Sequence, residues 1–194
     1  MEKKIYQSPI QLKEEGEPGE FAAVFSTFNV VDHQGDVTTP GAFTDGQKVR
    51  IAYWGHRWQD LPVGRGEIHA DAEKAWVDGR FFLDTEAGRE TYQTVKNLQE
   101  LQEWSYGFDI DQAEDGEWEG KQVRVLKKLS VHEVSPVFLG AGIGTQTITI
   151  KSAGDSVIDG PEDGSEDEAA ESSKASGLTP DVVLTLLKIL EEGD

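Results

Sequence analysis

The sequence predicts a mostly β fold, an antiparallel β-barrel of about seven strands with helical cover, carrying a charged tail. Three observations point there. Short stretches rich in aromatic and β-branched residues recur between residues 21 and 150. One stretch, between residues 85 and 103, has helical spacing. Residues 155–177 hold almost no large apolar side chain, so burial there cannot offset the entropy of ordering.

The elements follow in order. Residues 1–20 are polar and read as an extended or partly ordered N-terminal extension. Residues 21–31 (FAAVFSTFNVV) form a strand, ended by the turn Asp32-His33-Gln34-Gly35-Asp36. Residues 49–56 (VRIAYWGH) form the next strand and end on His56. Residues 63–70 and 75–83 make a pair joined by the polar turn 71–74. Thr85 and Glu86 suit a helix start, and Tyr92, Val95, Leu98 and Leu101 recur three apart, which predicts a helix running almost to residue 103. Beyond it Trp104, Tyr106, Phe108 and Ile110 alternate with small or polar residues, as in a strand. The acidic stretch 112–119 is expected as a hairpin loop, with strands at 123–129, 131–137 and 147–150 after it. The protein domain is thus expected over 21–152, with an acidic disordered linker over 153–177 and an amphipathic helix over 178–194. In that helix Thr179 is the N-cap, Pro180 the first helical residue, and Val183, Leu186, Leu187 and Leu190 the apolar face. Its partner is its own core, a twin subunit or another protein.

Composition narrows the function. A formal charge of -19 argues against nucleic acid, which needs clustered Lys and Arg. About half of that excess lies beyond residue 154, so the folded part is only moderately acidic. The absence of cysteine excludes disulfides, thiolate metal sites and cysteine nucleophiles. No stretch reads as a signal peptide or a membrane span, and a soluble, cytoplasmic protein is expected.

Three residues in separate strand-like stretches supply a nucleophile, a base and an acid: Ser105, His56 and Glu133. Serine attacks a carbonyl only when an imidazole takes its proton and a third group orients that imidazole. Alternation puts Ser105, Gly107 and Asp109 on the face opposite the aromatic residues, and Gly107 there would let a substrate backbone approach. Glu133 shares parity with Leu129, Val131 and Val137, so it points to an apolar side and requires a partner. His132 points the other way. The competing constellation is Asp32, His33 and Asp36, which with His56 or His69 has the residue types of a metal site; Asp-rich glycine turns more often serve as plain turns.

Read in order, several words resemble the prohead (capsid maturation) proteases of tailed bacteriophages. They are VDHQGDV at 31–37 with PGAF at 40–43, YWGH at 53–56, LPVGR at 61–65, GRFFLDT at 79–85, GRE at 88–90, SYGF at 105–108 and LSVHEVS at 129–135. The resemblance covers roughly residues 20–151. It implies a serine endopeptidase with the closed β-barrel of the herpesvirus assemblins, with Ser105 as nucleophile, His56 as general base and Glu133 as the third member, His132 being the alternative. It implies no cofactor and no metal, a dimer, and partners that are the major capsid protein or the scaffold protein, with no nucleic acid and no membrane. The place of action is the assembling procapsid in the host cytoplasm, and self-cleavage often accompanies it. A catalytically inactive assembly protein on the same fold is the alternative function. The chain departs from the family's usual words before Ser105 and after Ser135, where a glycine-rich stretch, 139–144, stands instead.

Overall fold

The computed structural model describes residues 11–13 and 16–151. The acidic linker, the terminal helix and the rest of the N-terminal extension lie outside these residues. Nine strands build one mixed sheet: β1 (Gln11–Lys13), β2 (Glu20–Thr27), β3 (Asp36–Thr38), β4 (Lys48–Ile51), β5 (Gly64–Ala70), β6 (Lys74–Phe81), β7 (Glu103–Trp118), β8 (Lys121–Val137) and β9 (Gln146–Lys151). One helix, α1 (Glu86–Leu98), interrupts them. The order runs β1-β9-β2-β6-β5-β4-β8. Strand β7 pairs with β8 along its whole length, so β3 and β4, both parallel to β8, share its other edge at different heights.

The sequence-based expectation of a closed antiparallel barrel is corrected here: the sheet is open, and three of its pairings are parallel. Closure would need β7 to pair with β9 or β1, and among the described residues no such ladder forms. Side chains bridge that seam instead. The Trp104 backbone N–H donates to Thr145 Oγ1 (3.2 Å), and its indole Nε1–H donates to Thr147 Oγ1 (2.9 Å). A threonine hydroxyl satisfies an edge amide, as strand pairing would, while holding the backbones apart.

Local chemistry explains most element boundaries. Thr85 caps α1 by accepting from Gly88 N (3.1 Å), and Thr91, Tyr92 and Val95 form its buried face. The helix stops at Leu98, short of the expected end, because Gln99 turns to φ 49° and its N–H bonds back to Val95 O. Leu101, counted in the apolar spacing, is exposed. The stretch 112–119 is not a loop: β7 continues through it, paired to β8, and reverses only at Glu119-Gly120. Both of those residues have positive φ (50° and 78°), the two-residue turn whose twist suits a hairpin. Likewise 123–129 and 131–137 are one long strand, and β4 ends at Ile51, five residues before His56.

The core lies on one face of the sheet. Phe21 stacks between Phe81 and Trp104 (centroids 4.5 and 4.9 Å), and Phe25 meets Phe43 and Tyr106 edge-on. Helix α1 closes one end through Tyr92, which faces Phe81 and donates its hydroxyl to Lys151 O. Burying aromatic side chains of this size contributes about 2–3 kcal/mol each.

Candidate active site

His56 sits on the turn after β4, not on a strand. Gly55 N–H donates to Pro136 O (3.0 Å) and Trp58 N–H to His56 O (2.8 Å), which pins the turn against β8. His56 itself has φ 60°, a left-handed conformation that costs a non-glycine residue about 1 kcal/mol or more. Such strain persists where the surroundings over-determine it. Here the imidazole is what is held.

Its partner is Glu133. His56 Nδ1 lies 2.6 Å from Glu133 Oε1, although the two are 77 residues apart. A carboxylate can only accept, so the ring proton sits on Nδ1 and Nε2 carries the lone pair. Glu133 is buried (4% exposed), and its Oε1 also accepts from Trp58 Nε1 at 3.2 Å. Its Oε2 has no hydrogen-bond partner among the described residues. Ser135 Oγ stands 3.1 Å from the same His56 Nδ1 and is fully buried.

A β-bulge makes this arrangement. Gly107 pairs with Glu133, but the next residue, Phe108, pairs with Val131, so His132 is the extra residue on β8. His132 turns outward and its Nε2 reaches Asp109 at 2.9 Å. Of the two neighbours, Glu133 is the one that meets His56. Opposite it, Gly107 has a role that sequence assigned differently. A Cβ there would lie 2.6 Å from Glu133 Oε1 and 2.8 Å from Trp58 Cζ2, so the missing side chain makes room for this carboxylate and its indole cover.

Ser105 pairs directly with Ser135 across β7 and β8, two residues from the Gly107–Glu133 pair. Directly opposed residues share a face, so Ser105 projects on the side where His56 lies. Ser105 and His56 line one cavity of about 130 Å³ together with Phe25, Thr27, Phe108 and Ile143. This cavity lies at the seam where the sheet fails to close, between the free edge of β7, strand β2 and the glycine-rich loop. The Ser105 hydroxyl makes no hydrogen bond among the described residues, to His56 or to anything else. Serine-to-base bonds are often loose before substrate binds. Two serines therefore compete on sequence type, and burial separates them: Ser135 is sealed in, whereas Ser105 opens on the cavity.

The Asp32, His33 and Asp36 group is a scaffold around this cavity. Asp32 Oδ1 accepts from Gln34 N and Asp36 N (2.8 and 2.9 Å), closing the turn. Asp36 is buried and holds Arg124 through two bonds, to Nε (2.9 Å) and Nη2 (2.6 Å). These contacts raise the Arg124 guanidinium still further above its ordinary range, the hydrogen bond to Asp36 being the largest cause. Among the described residues no three His, Asp or Glu side chains gather as metal ligands. Tyr106 fills the space behind Ser105; burial, more than the nearby Asp32 and Asp36 charges, pushes its phenol up, against hydrogen bonds with Thr38 and Ser26. Sequence reading missed Trp58 and Ser135. A tryptophan two residues beyond the candidate base was the available signal for the first; the SVHEVS word held the second.

Residues 8–158 match the family of caudovirus prohead serine proteases. No curated protein sequence and no solved structure matches the chain. The family match spans well over half of the chain, which belongs to that family of serine peptidases.

Proposed function

We propose that this member of the prohead serine proteases is a serine endopeptidase that shortens capsid or scaffold protein during procapsid maturation, and that it also cleaves itself. The observation that carries the reading is the 2.6 Å His56–Glu133 contact, set on the cavity that Ser105 lines. In this mechanism Ser105 Oγ attacks the peptide carbonyl while His56 Nε2 takes its proton. Glu133 holds the imidazole through Nδ1 and offsets the charge that forms on it. The protonated imidazole then gives its proton to the leaving amine, and water repeats the sequence on the acyl-enzyme.

The tetrahedral oxyanion needs N–H donors. Gly142 and Ile143 line the cavity, and their N–H groups make no backbone bond among the described residues, which supports them in that role. Neither Arg124 nor Arg65 lines that cavity, and Arg124 is engaged by Asp36. The family implies action within the procapsid in the host cell, and no helix among the described residues is long and apolar enough to cross a membrane.

The test is co-expression with the neighbouring capsid and scaffold genes, wild type against Ser105→Ala, read by intact-mass spectrometry. Shortened chains with wild type alone are expected. Shortening in both would mean the nucleophile is another residue. Identical full-length masses, with both forms packaged, would favour an inactive assembly protein.

A further inference from the structure

The outer face of the sheet carries a row of like charges. Register places Arg50 of β4 directly opposite Arg65 of β5, and Arg65 directly opposite Arg80 of β6. All three are exposed, while their strand neighbours Val49, Ile51, Gly64 and Phe81 are buried. Like charges directly opposed on a sheet destabilise it. By the same registers Glu133 stands opposite Arg50 at one end of the row and Glu20 opposite Arg80 at the other, so Arg65 alone has arginine on both sides. The acids two residues along β5 and β6 are engaged elsewhere. Glu67 is held by Lys48, which draws its carboxyl below the usual range, and Asp78 faces His69. Arg80 reaches Glu17 at 3.5 Å, whereas Arg50 and Arg65 have no ion-pair partner among the described residues. Arg65 and Arg80 line a cavity of about 660 Å³ together with Glu20, Lys48 and Lys151, whereas Arg50 lines another with Glu133. In a chain of net charge -19, an exposed Arg65 held between two arginines in register and given no ion-pair partner among the described residues costs stability without serving the fold.

We propose that this row docks an acidic peptide segment of a partner protein. Strands lie about 4.8 Å apart, so the three guanidinium groups span roughly 10 Å, which carboxylates on alternate residues of an extended segment can follow. Guanidinium forks suit carboxylates in pairs. A phosphodiester backbone fits worse: its unbroken charge would also lie over Glu67 and Asp78, whereas a peptide can place acid only above the arginines. None of the three arginines lines the Ser105 cavity, but Arg50 stands in register with Glu133, so Arg65 and Arg80 carry the proposal apart from the catalytic assignment.

Fluorescence anisotropy on the full chain tests it with three labelled probes of about ten units each: oligoglutamate, oligoglutamine and oligothymidylate. Oligoglutamate alone is expected to bind at about 50 mM salt, and to weaken at least about tenfold near 300 mM. The variant R50A/R65A/R80A is expected to lose about tenfold or more, while Lys48→Ala changes little. Arg65→Ala alone should melt no lower than wild type, because it removes the central repulsion. Absence of oligoglutamate binding overturns the proposal, as does equal binding by the triple variant. Tighter binding of oligothymidylate would reassign the row to nucleic acid.

Discussion

Replacing Gly107 with alanine adds one carbon where no atom fits. The new Cβ would lie 2.6 Å from Glu133 Oε1 and 2.8 Å from Trp58 Cζ2, against an ordinary contact of at least 3.4 Å. The carboxylate oxygen would have to retreat by roughly 0.8 Å, and it is the same oxygen that holds His56 Nδ1 at 2.6 Å. A misplacement of about 1 Å in a catalytic group costs on the order of 100-fold in rate, or about 2.7 kcal/mol of barrier. Overpacking costs the fold about 1–3 kcal/mol, which for a domain of this size is a fall in Tm of roughly 3–10 °C. The rate is read without a known substrate, as the initial rate at which a fluorophosphonate probe labels the chain, with the modified peptide located by mass spectrometry. Adding Trp58→Ala to Gly107→Ala should recover part of the lost stability, since it removes one of the two clashes, but not the labelling rate. If Gly107→Ala labels Ser105 at the wild-type rate while folded, the Glu133–His56 contact does not activate the nucleophile, and the reasoning fails.

Four further outcomes are expected. Ser135→Ala should keep fluorophosphonate labelling within about tenfold of wild type, because Glu133 still holds Nδ1, whereas Ser105→Ala should abolish it; the reverse result would exchange the two serines. Trp58→Phe removes the indole donor to Glu133 but keeps a ring over Gly107, so labelling should slow by about 10-fold with little change in Tm; an unchanged rate would leave the indole N–H without a role. Asp36→Ala removes a buried carboxylate and its two bonds to Arg124 but leaves the 32–36 turn, which Asp32 closes on the backbone N–H of residue 36, and chemical denaturation should show a loss of about 1–2 kcal/mol, held down by the half-exposed Arg124. Tyr106 holds its proton more tightly folded than unfolded, since burial raises its phenol. Its contribution to stability is therefore full below about pH 10 and lost as pH rises through the higher folded value; a Tyr106→Phe chain should lack that alkaline loss, as Tm against pH would show.

Local chemistry was legible in the chain itself. The alternation about Trp104, Tyr106 and Phe108, the Thr85 cap and the apolar face of α1 each depend on residues within one or two turns, so periodicity and capping rules reached them. Parity put Glu133 on the face of Leu129 and Val131; the bulge at His132 turns it instead to the face of Gly107 and Ser105, where it is buried under Trp58. What sequence could not decide were the relations between segments far apart in the chain. The meeting of His56 with Glu133 depends on β4 lying parallel beside β8, and the choice of Glu133 over His132 depends on a one-residue bulge. The arginine row is invisible until register aligns residues 50, 65 and 80. Whether the sheet closes turns on Thr145 and Thr147 occupying the edge amide and indole of Trp104, and the gap left there is the cavity that Ser105 faces. Period and propensity are properties of neighbours along the chain, whereas register and closure are set by the packing of the whole sheet.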